Sequence, residues 1–426
     1  MSNKLHAFDI TKEASANSNR SFRFHSPSFL LYNIIALLVV ALIFRVIVTS
    51  MASTSDQTVQ VWVTYANKTK LLSQEGPITW TSLSSSSSEE NDLPTIQIDA
   101  TKRYQTIEGV GAALTDSSAW LISKKMPKSK REKLLKNLFT REGNGIGINY
   151  LRIPLGASDF ALSNYSYDDL PKGKRDSQLE RFSIKHDADY IIPLLKAIQN
   201  LNPALRRMAS PWSAPAWMKT SQSLKGGSLL PECYQTYANY TIKSLQAYSD
   251  VGLPFDTITP QNEPMHESDN YPTMRMEAED QKKYVRDHLG PSLAAADGIG
   301  TRILIWDHNW DFIEYPLSIL EDEAARDYVV GVAFHGYGGK VEKQTEVNEK
   351  YPDKGIWFTE CSGGRWSTDF GNNMEWNLRH LIIGNFRNWG KSLLLWNLAL
   401  DHNGRYHTGS VKSEEALLIG NVHNML

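Results

Sequence analysis

Cysteine is scarce in this chain: two occur among 426 residues, Cys233 and Cys361. So few thiols specify no disulfide framework and no paired-cysteine zinc site. Cys361 reads as a packed free thiol and not as a partner of Cys233. An excess of charge of one sign is also missing. The formal net charge of −2 gives no basic field, which sets nucleic-acid binding aside. No strand candidate is followed by a complete glycine-rich phosphate loop, since Gly109-Val-Gly111 lacks the third glycine. No Gly-x-Ser-x-Gly elbow precedes a helix, so a serine nucleophile is unsupported. No HExxH motif occurs either, and the spacing of His308 and His335 matches no helical ligand pair. A catalytic metal is therefore not expected, and no cofactor is implied.

What is present is ordinary for a globular protein, with 41% hydrophobic and 22% charged residues. One apolar run stands out at residues 29–44, and Arg45 interrupts it before Val46-Ile47-Val48. Counted through Val48 it spans about twenty residues, near the minimum for crossing a bilayer. Lys4, Lys12, Arg20 and Arg23 precede it, which makes residues 1–28 a cytosolic leader and sends the rest across the membrane. The segment 29–48 reads as an N-terminal hydrophobic helix, either a transmembrane signal-anchor or a signal peptide cut near Ser50-Met51-Ala52. Both place the rest of the chain in the secretory pathway, membrane-anchored with a lumenal or extracellular domain, or lysosomal or secreted after cleavage. Sequons at Asn67, Asn164 and Asn239 suit that side.

Residues 55–103 form a partial β side domain in this reading. Val59 to Tyr65 and Thr95 to Asp99 alternate with period two, and the polar loop containing Ser84 to Ser88 lies between them. From residue 104 short apolar runs alternate with helical patterns. Strand candidates fall at 106–113, 148–155, 206–213, 255–263, 302–309, 329–337, 355–362 and 392–400. Helical spacing marks Asp187 to Asn200, Tyr234 to Val251, Ala278 to Ala295 and Asn372 to Trp389. Eight strands with intervening helices predict an α/β fold, a (β/α)8 TIM barrel over 104–402. A doubly wound open sheet is the structural alternative. Residues 403–426 form an atypical tail.

Polar and aromatic residues gather where the eight apolar runs stop. They include Asp116, Asp159, Trp212, Asn262-Glu263, Asp307-His308, His335-Gly336-Tyr337, Glu360 and Trp396-Asn397. A barrel builds its active site on that face. Among the twelve tryptophans, those at strand ends offer flat apolar faces to a sugar ring. Glu263 and Glu360 each close a strand and stand just before helix-breaking residues. Hydrolysis of a sugar acetal needs two carboxyl groups flanking the scissile bond, and these two glutamates supply them.

Six stretches carry a more specific signal. They are Glu108 to Asp116, Ala209 to Thr220, Thr259-Pro-Gln-Asn-Glu-Pro264, Phe334-His-Gly-Tyr337, Phe358-Thr-Glu-Cys361 and Leu395 to Leu400. In this order they resemble the signature stretches of glycoside hydrolase family 30, in its lysosomal acid β-glucosidase (glucosylceramidase) branch. The resemblance covers about residues 95–402. It implies a retaining hydrolase with a β-sandwich beside the barrel, Glu263 as general acid/base and Glu360 as nucleophile. It gives Asn262 to the sugar 2-hydroxyl, Asp116, Trp212 and Trp396 to the non-reducing sugar, and Tyr337 to the neighbourhood of the nucleophile. Glu263 should then hold a raised pKa and Glu360 stay ionised.

Two departures from that pattern accompany the likeness. The family's chain continues past the eighth strand into most of the sandwich, whereas here only Asp401 to Leu426 follow, so the side sandwich is expected to be incomplete. Gly336 stands where glucosylceramidases carry a bulkier aromatic, which predicts an open aglycone side. The expected substrate is a glycolipid or other β-glucoside, with glucosylceramide first and sphingolipid catabolism as its setting. An endo-β-1,6-glucanase or related β-glycosidase is the alternative within the enzyme class. An inactive truncated remnant acting as a binding protein is the alternative outside it. Expected partners are the substrate and a membrane reached through the N-terminal segment; no activator protein is specified.

Overall fold

The computed structural model describes residues 58–79, 96, 98–364 and 366–401. The expected leader, the hydrophobic segment 29–48, the Ser84–Ser88 loop and the tail 403–426 lie outside the described residues. Among the described residues no helix is long and apolar enough to cross a membrane.

Two compact units divide the chain, Met1–Trp62 with Gln74–Asp92, and Val63–Ser73 with Leu93–Leu426. Near the N-terminus four two-residue strands occur: β1 (Thr58–Val59), β2 (Trp62–Val63), β3 (Ser73–Gln74) and β4 (Ile78–Thr79). They make two separate two-stranded sheets, β1 with β4 and β2 with β3. The single half-buried strand expected over 59–65 is thus broken at Gln60–Val61. Val59, Trp62 and Tyr65 are exposed, so no buried face enforces the alternation that the sequence displays. The strand expected at 95–99 is not formed by its described residues, and Ile96 and Ile98 are exposed.

The second unit contains a closed ring. Its strands are β5 (Gly109–Ala113), β6 (Tyr150–Leu155), β7 (Arg206–Pro211), β8 (Thr257–Ile258), β9 (Arg302–Asn309), β10 (Val329–His335), β11 (Gly355–Glu360) and β12 (Gly390–Asn397). Each falls within or overlaps one of the eight expected runs. All neighbours are parallel, and β12 pairs with β5 from Ser392 against Gly109 onward. That pairing removes both sheet edges and excludes the open-sheet alternative.

Helices follow the first seven barrel strands: α1 (Lys128–Phe139), α2 (Ile191–Leu201), α3 (Tyr234–Asp250), α4 (Ala278–Tyr284), α5 (Glu314–Glu321), α6 (Lys343–Lys350) and α7 (Phe370–Trp376). In α2 the residues Ile191, Ile192, Leu194, Leu195 and Ile198 are buried, the apolar stripe of a helix lying on a sheet. Beyond α4 and α7 the chain winds on through π-helical turns at Val285–Leu289 and Asn377–Gly384, so those helical patterns outrun the α-helices themselves.

Barrel side chains separate into an outer layer and a lumen. Tyr150, Met208, Leu304, Ala333, Trp357 and Leu394, one from each of six strands, pack into a cluster of their own. Below them Glu108 takes Arg206 at 2.9 Å, Arg302 at 3.1 Å and Lys391 at 3.3 Å, at the end where the strands begin. Ionic pairing closes the floor and leaves the opposite end for chemistry.

Candidate active site

A charged side chain inside a barrel must be paired, because desolvation of a lone charge costs more than packing returns. Arg152 breaks the apolar run of β6 and is fully buried. Its guanidinium donates to Glu360 Oε2, to Asn262 Oδ1 at 2.6 Å and to Asp307 Oδ2 at 2.8 Å. The same guanidinium lies over the Trp212 ring, 4.8 Å from its centroid, and 5.6 Å from that of Trp396.

Asp307 reaches the lumen through a bulge. The register between β9 and β10 runs from Ala333 opposite Trp306 to Phe334 opposite His308, so Asp307 is the extra residue. Trp306 and Asp307 both have positive φ, 75° and 64°. Leu304 packs in the lumen and Ile305 and Trp306 pack in the outer layer, which turns Asp307 inward. There it accepts from Ser210 Oγ, Thr259 Oγ1 and Thr359 Oγ1, each at 2.7 Å. Burial alone would raise its pKa, but Arg152, His335 and the Thr259 hydroxyl hold the carboxyl far below the usual range.

Glu263 and Glu360 stand at the ends of β8 and β11, and between them in the ring lie β9 with Asp307 and β10 with His335. Glu263 sits at φ 44°, a left-handed conformation rare for a residue before proline. Its N–H donates to the Asp307 carbonyl at 3.0 Å, which anchors the turn on the bulge. His335 Nδ1 lies 3.1 Å from Glu263 Oε1, and its Nε2 lies 3.1 Å from Asp307 Oδ1. Tyr337 donates its hydroxyl to Glu360 Oε1 at 2.9 Å. One oxygen from each glutamate and a nitrogen of His335 all lie within 4.8 Å of one another. One imidazole and two carboxylates could also hold a divalent cation. Here, however, each ring nitrogen faces a carboxylate, and Glu360 is taken by Arg152 and Tyr337.

Protonation departs from the expected order. For Glu263, burial pushes upward, but the His335 hydrogen bond and the charges of His308, His335 and His266 outweigh it and lower its pKa to about 2. Burial raises Glu360, with Glu263 and Asp307 adding to the rise and His335 and Arg152 opposing it. The sequence could not anticipate this order, because it depends on His335 Nδ1 lying nearer to Glu263, at 3.1 Å, than to Glu360, at 4.0 Å.

The remaining candidates are placed unequally. Asn262 joins the centre through Arg152. Trp212 and Trp396 are buried and stack on each other at 5.1 Å between centroids, so little of either ring is open. Asp116 is buried with Oδ1 taken by the Tyr190 hydroxyl and by His186 Nε2 at 2.9 Å, and Oδ2 taken by the Leu162 N–H at 2.8 Å. At Gly336, where an open aglycone side was expected, the direction of the absent side chain is set by its neighbours. A Cβ there would meet Phe358 at 3.0 Å and Cys361 and Leu381 at 3.3 Å, so the missing side chain faces the barrel wall. Asn67, Asn164 and Asn239 are all exposed. Arg152 went unrecognised as a site residue in the sequence, and Asp307 was noted only among the polar residues at strand ends. Arg152 did carry a signal, a lone charge inside an apolar strand.

A closed parallel barrel with two facing carboxylates at its mouth is the frame of a barrel-type glycoside hydrolase. The description "Glycosyl hydrolase family 30 TIM-barrel domain" matches residues 107–412, and the chain belongs to that family. It is 33% identical over 352 residues to an endo-1,6-β-D-glucanase of Neurospora crassa, covering 80% of this chain and 70% of that protein. It is 30% identical over 322 residues to the lysosomal acid glucosylceramidase of Mus musculus, covering 71% of this chain and 61% of that one. A solved endo-β1,6-glucanase structure superposes with a TM-score of 0.75 at 33% identity, covering 84% of this chain and 78% of its own. The likeness therefore does not single out the glucosylceramidase branch.

Proposed function

We propose that the protein is a retaining β-glycosidase whose substrate is a β-1,6-linked glucan. The observation that carries the reaction type is the approach of the two carboxylates, with one oxygen of each within 4.8 Å. Retaining enzymes space their carboxyl groups by about 5–5.5 Å, whereas inverting ones leave about 6.5–9.5 Å for a water. In this reading Glu360, oriented by Arg152 and Tyr337, attacks the anomeric carbon. Glu263 protonates the departing oxygen and then takes a proton from the hydrolytic water. Asn262, joined to Arg152 beside the pair, is assigned to the sugar 2-hydroxyl.

Glu263 sits low and Glu360 high in the free site, so the productive form with protonated Glu263 and ionised Glu360 is the less populated of two singly protonated forms. The two groups titrate as a pair and give a bell-shaped rate profile. Asp116, Trp212 and Trp396 are assigned to the wall that holds the non-reducing sugar, the two tryptophans lying against the Arg152 guanidinium.

The glucan reading is favoured by the endo-β-1,6-glucanases among the relatives. The glucosylceramide reading draws on the glucosylceramidases among the relatives, which include putative ones of Caenorhabditis elegans at 31–32% identity. Incubation with a β-1,6-glucan and, separately, with glucosylceramide in detergent separates them. Oligosaccharides from the first without ceramide from the second support the proposal; the reverse result transfers it to the glycolipid. A chain inert on both and on aryl β-glucosides is a binding protein instead.

A further inference from the structure

Asp307 is acceptor-only when ionised, and Arg152 and three hydroxyls hold it so. The contact between its Oδ1 and His335 Nε2 therefore has its hydrogen on the imidazole. This settles one ring nitrogen and leaves the question of the other, Nδ1, which faces Glu263 Oε1 at 3.1 Å. If Nδ1 were bare it would draw the Glu263 proton onto Oε1, the oxygen turned towards the buried ring. A proton there cannot reach a glycosidic oxygen. If Nδ1 carries a hydrogen it occupies Oε1 as a donor, and the exchangeable proton of Glu263 is left on Oε2.

We infer that His335 remains doubly protonated between Asp307 and Glu263 and acts as a positioning residue that confines the Glu263 proton to Oε2. This rests on the reading of Glu263 as the acid/base. The surroundings favour the charged ring from every packed element. Asp307 of β9 and Glu263 after β8 contact it, and Glu360 of β11 lies 4.0 Å from Nδ1. Arg152 of β6 opposes it only through Asp307 and Glu360, which it already pairs. The His308 and Tyr337 rings stand 6.2 Å away by centroid. Burial would lower the pKa of His335, but the negative charge of Glu360 and the bonds to Asp307 and Glu263 carry it up to about 9.

The proton count closes with His335 unchanged. In the first step the Glu263 Oε2–H bond breaks and its proton goes to the glycosidic oxygen. That oxygen keeps the electron pair of the broken anomeric C–O bond, and a new bond forms from Glu360 to the anomeric carbon. In the second step a water proton passes to Glu263, the water oxygen bonds to the anomeric carbon, and the pair of the ester bond returns to Glu360.

The test compares His335→Ala, His335→Gln and Glu263→Gln in the full chain on aryl β-glucosides of graded leaving-group acidity. The Ala variant should lose at least about tenfold on poor leaving groups, a part of the 10²–10⁴-fold that general acid catalysis supplies, and little on dinitrophenyl glucoside. The Gln variant, which keeps a neutral donor towards Oε1, should regain most of that loss. In both, the acid limb of kcat/KM should move to higher pH, because Glu263 has lost a positive neighbour. Equal losses across the series, or an unmoved limb in variants that unfold cooperatively, would overturn the role of His335. If Glu263→Gln itself shows no leaving-group dependence, the acid/base reading fails and takes this inference with it. If Glu263→Gln shows that dependence and the His335 variants do not, only the inference falls.

Discussion

Arg152 Nη2 lies 2.8 Å from Asp307 Oδ2, with both side chains fully buried. The other guanidinium nitrogen reaches Glu360. One cation therefore compensates two carboxylates at once, and neither has water to fall back on. Arg152→Ala should lower unfolding stability by about 3–5 kcal/mol, the usual cost of leaving a buried charge unpartnered. Arg152→Lys should recover only part of it, since an ammonium cannot fork to both acceptors. Urea unfolding of the three proteins decides the point, and a wild-type midpoint for Arg152→Ala would refute the pairing.

Glu360→Gln should abolish turnover of every glycoside. Glu263→Ala should still form the glycosyl-enzyme from substrates with good leaving groups, and added azide should restore turnover by yielding a β-glycosyl azide. Stopped-flow bursts and product analysis measure both. Wild-type rates in either variant would end the assignment of the pair.

Tyr337→Phe removes one of the donors that favour the ionised form of Glu360 against its burial. Hydrogen bonds to charged groups are worth about 1.5–3 kcal/mol, so kcat should fall roughly tenfold or more. The alkaline limb of the rate profile should move to higher pH with it, because Glu360, the higher of the pair, loses a stabilising donor. Steady-state kinetics across pH would expose the opposite result, an unchanged kcat.

Stability should also depend on His335. Its folded pKa is raised from 6.5 to about 9, so its contribution is fully present below pH 6.5 and is lost as pH rises through 9. At 1.36 kcal/mol per unit this amounts to about 3 kcal/mol across the window. The stability difference between wild type and His335→Gln should shrink by that order between pH 6 and 10, as read by thermal or urea unfolding. A difference that does not change with pH would rule out the charged ring.

All eight barrel strands were legible in the sequence, because a strand buried on both faces is a short apolar run between turn residues. The two glutamates were legible for a related reason: each follows such a run directly. The relation between them was not. Asp307 was visible only as one of several polar residues at the end of β9, since strict alternation from Leu304 would send Trp306 and His308 inward and Asp307 outward. Left-handed backbone at Trp306 and Asp307 has no glycine to announce it. The reversed protonation of the glutamates escaped for the same reason, as it follows from contacts between neighbouring strands. At Gly336 the substitution was noticed, but the direction of the absent side chain could only come from the wall of Phe358, Cys361 and Leu381.

The bulge in β9 makes the whole centre depend on two left-handed residues, Trp306 and Asp307. Drawing the strand straight at unchanged length would leave the ring closed and both glutamates on their own strands. It would also turn the acid that steadies Arg152 and His335 to the far side of the sheet. The nucleophile would lose its anchor and the proton donor its guide in the same stroke, from a change that touches neither. A β-branched side chain at either position, strained at positive φ, is what this stretch of β9 should resist.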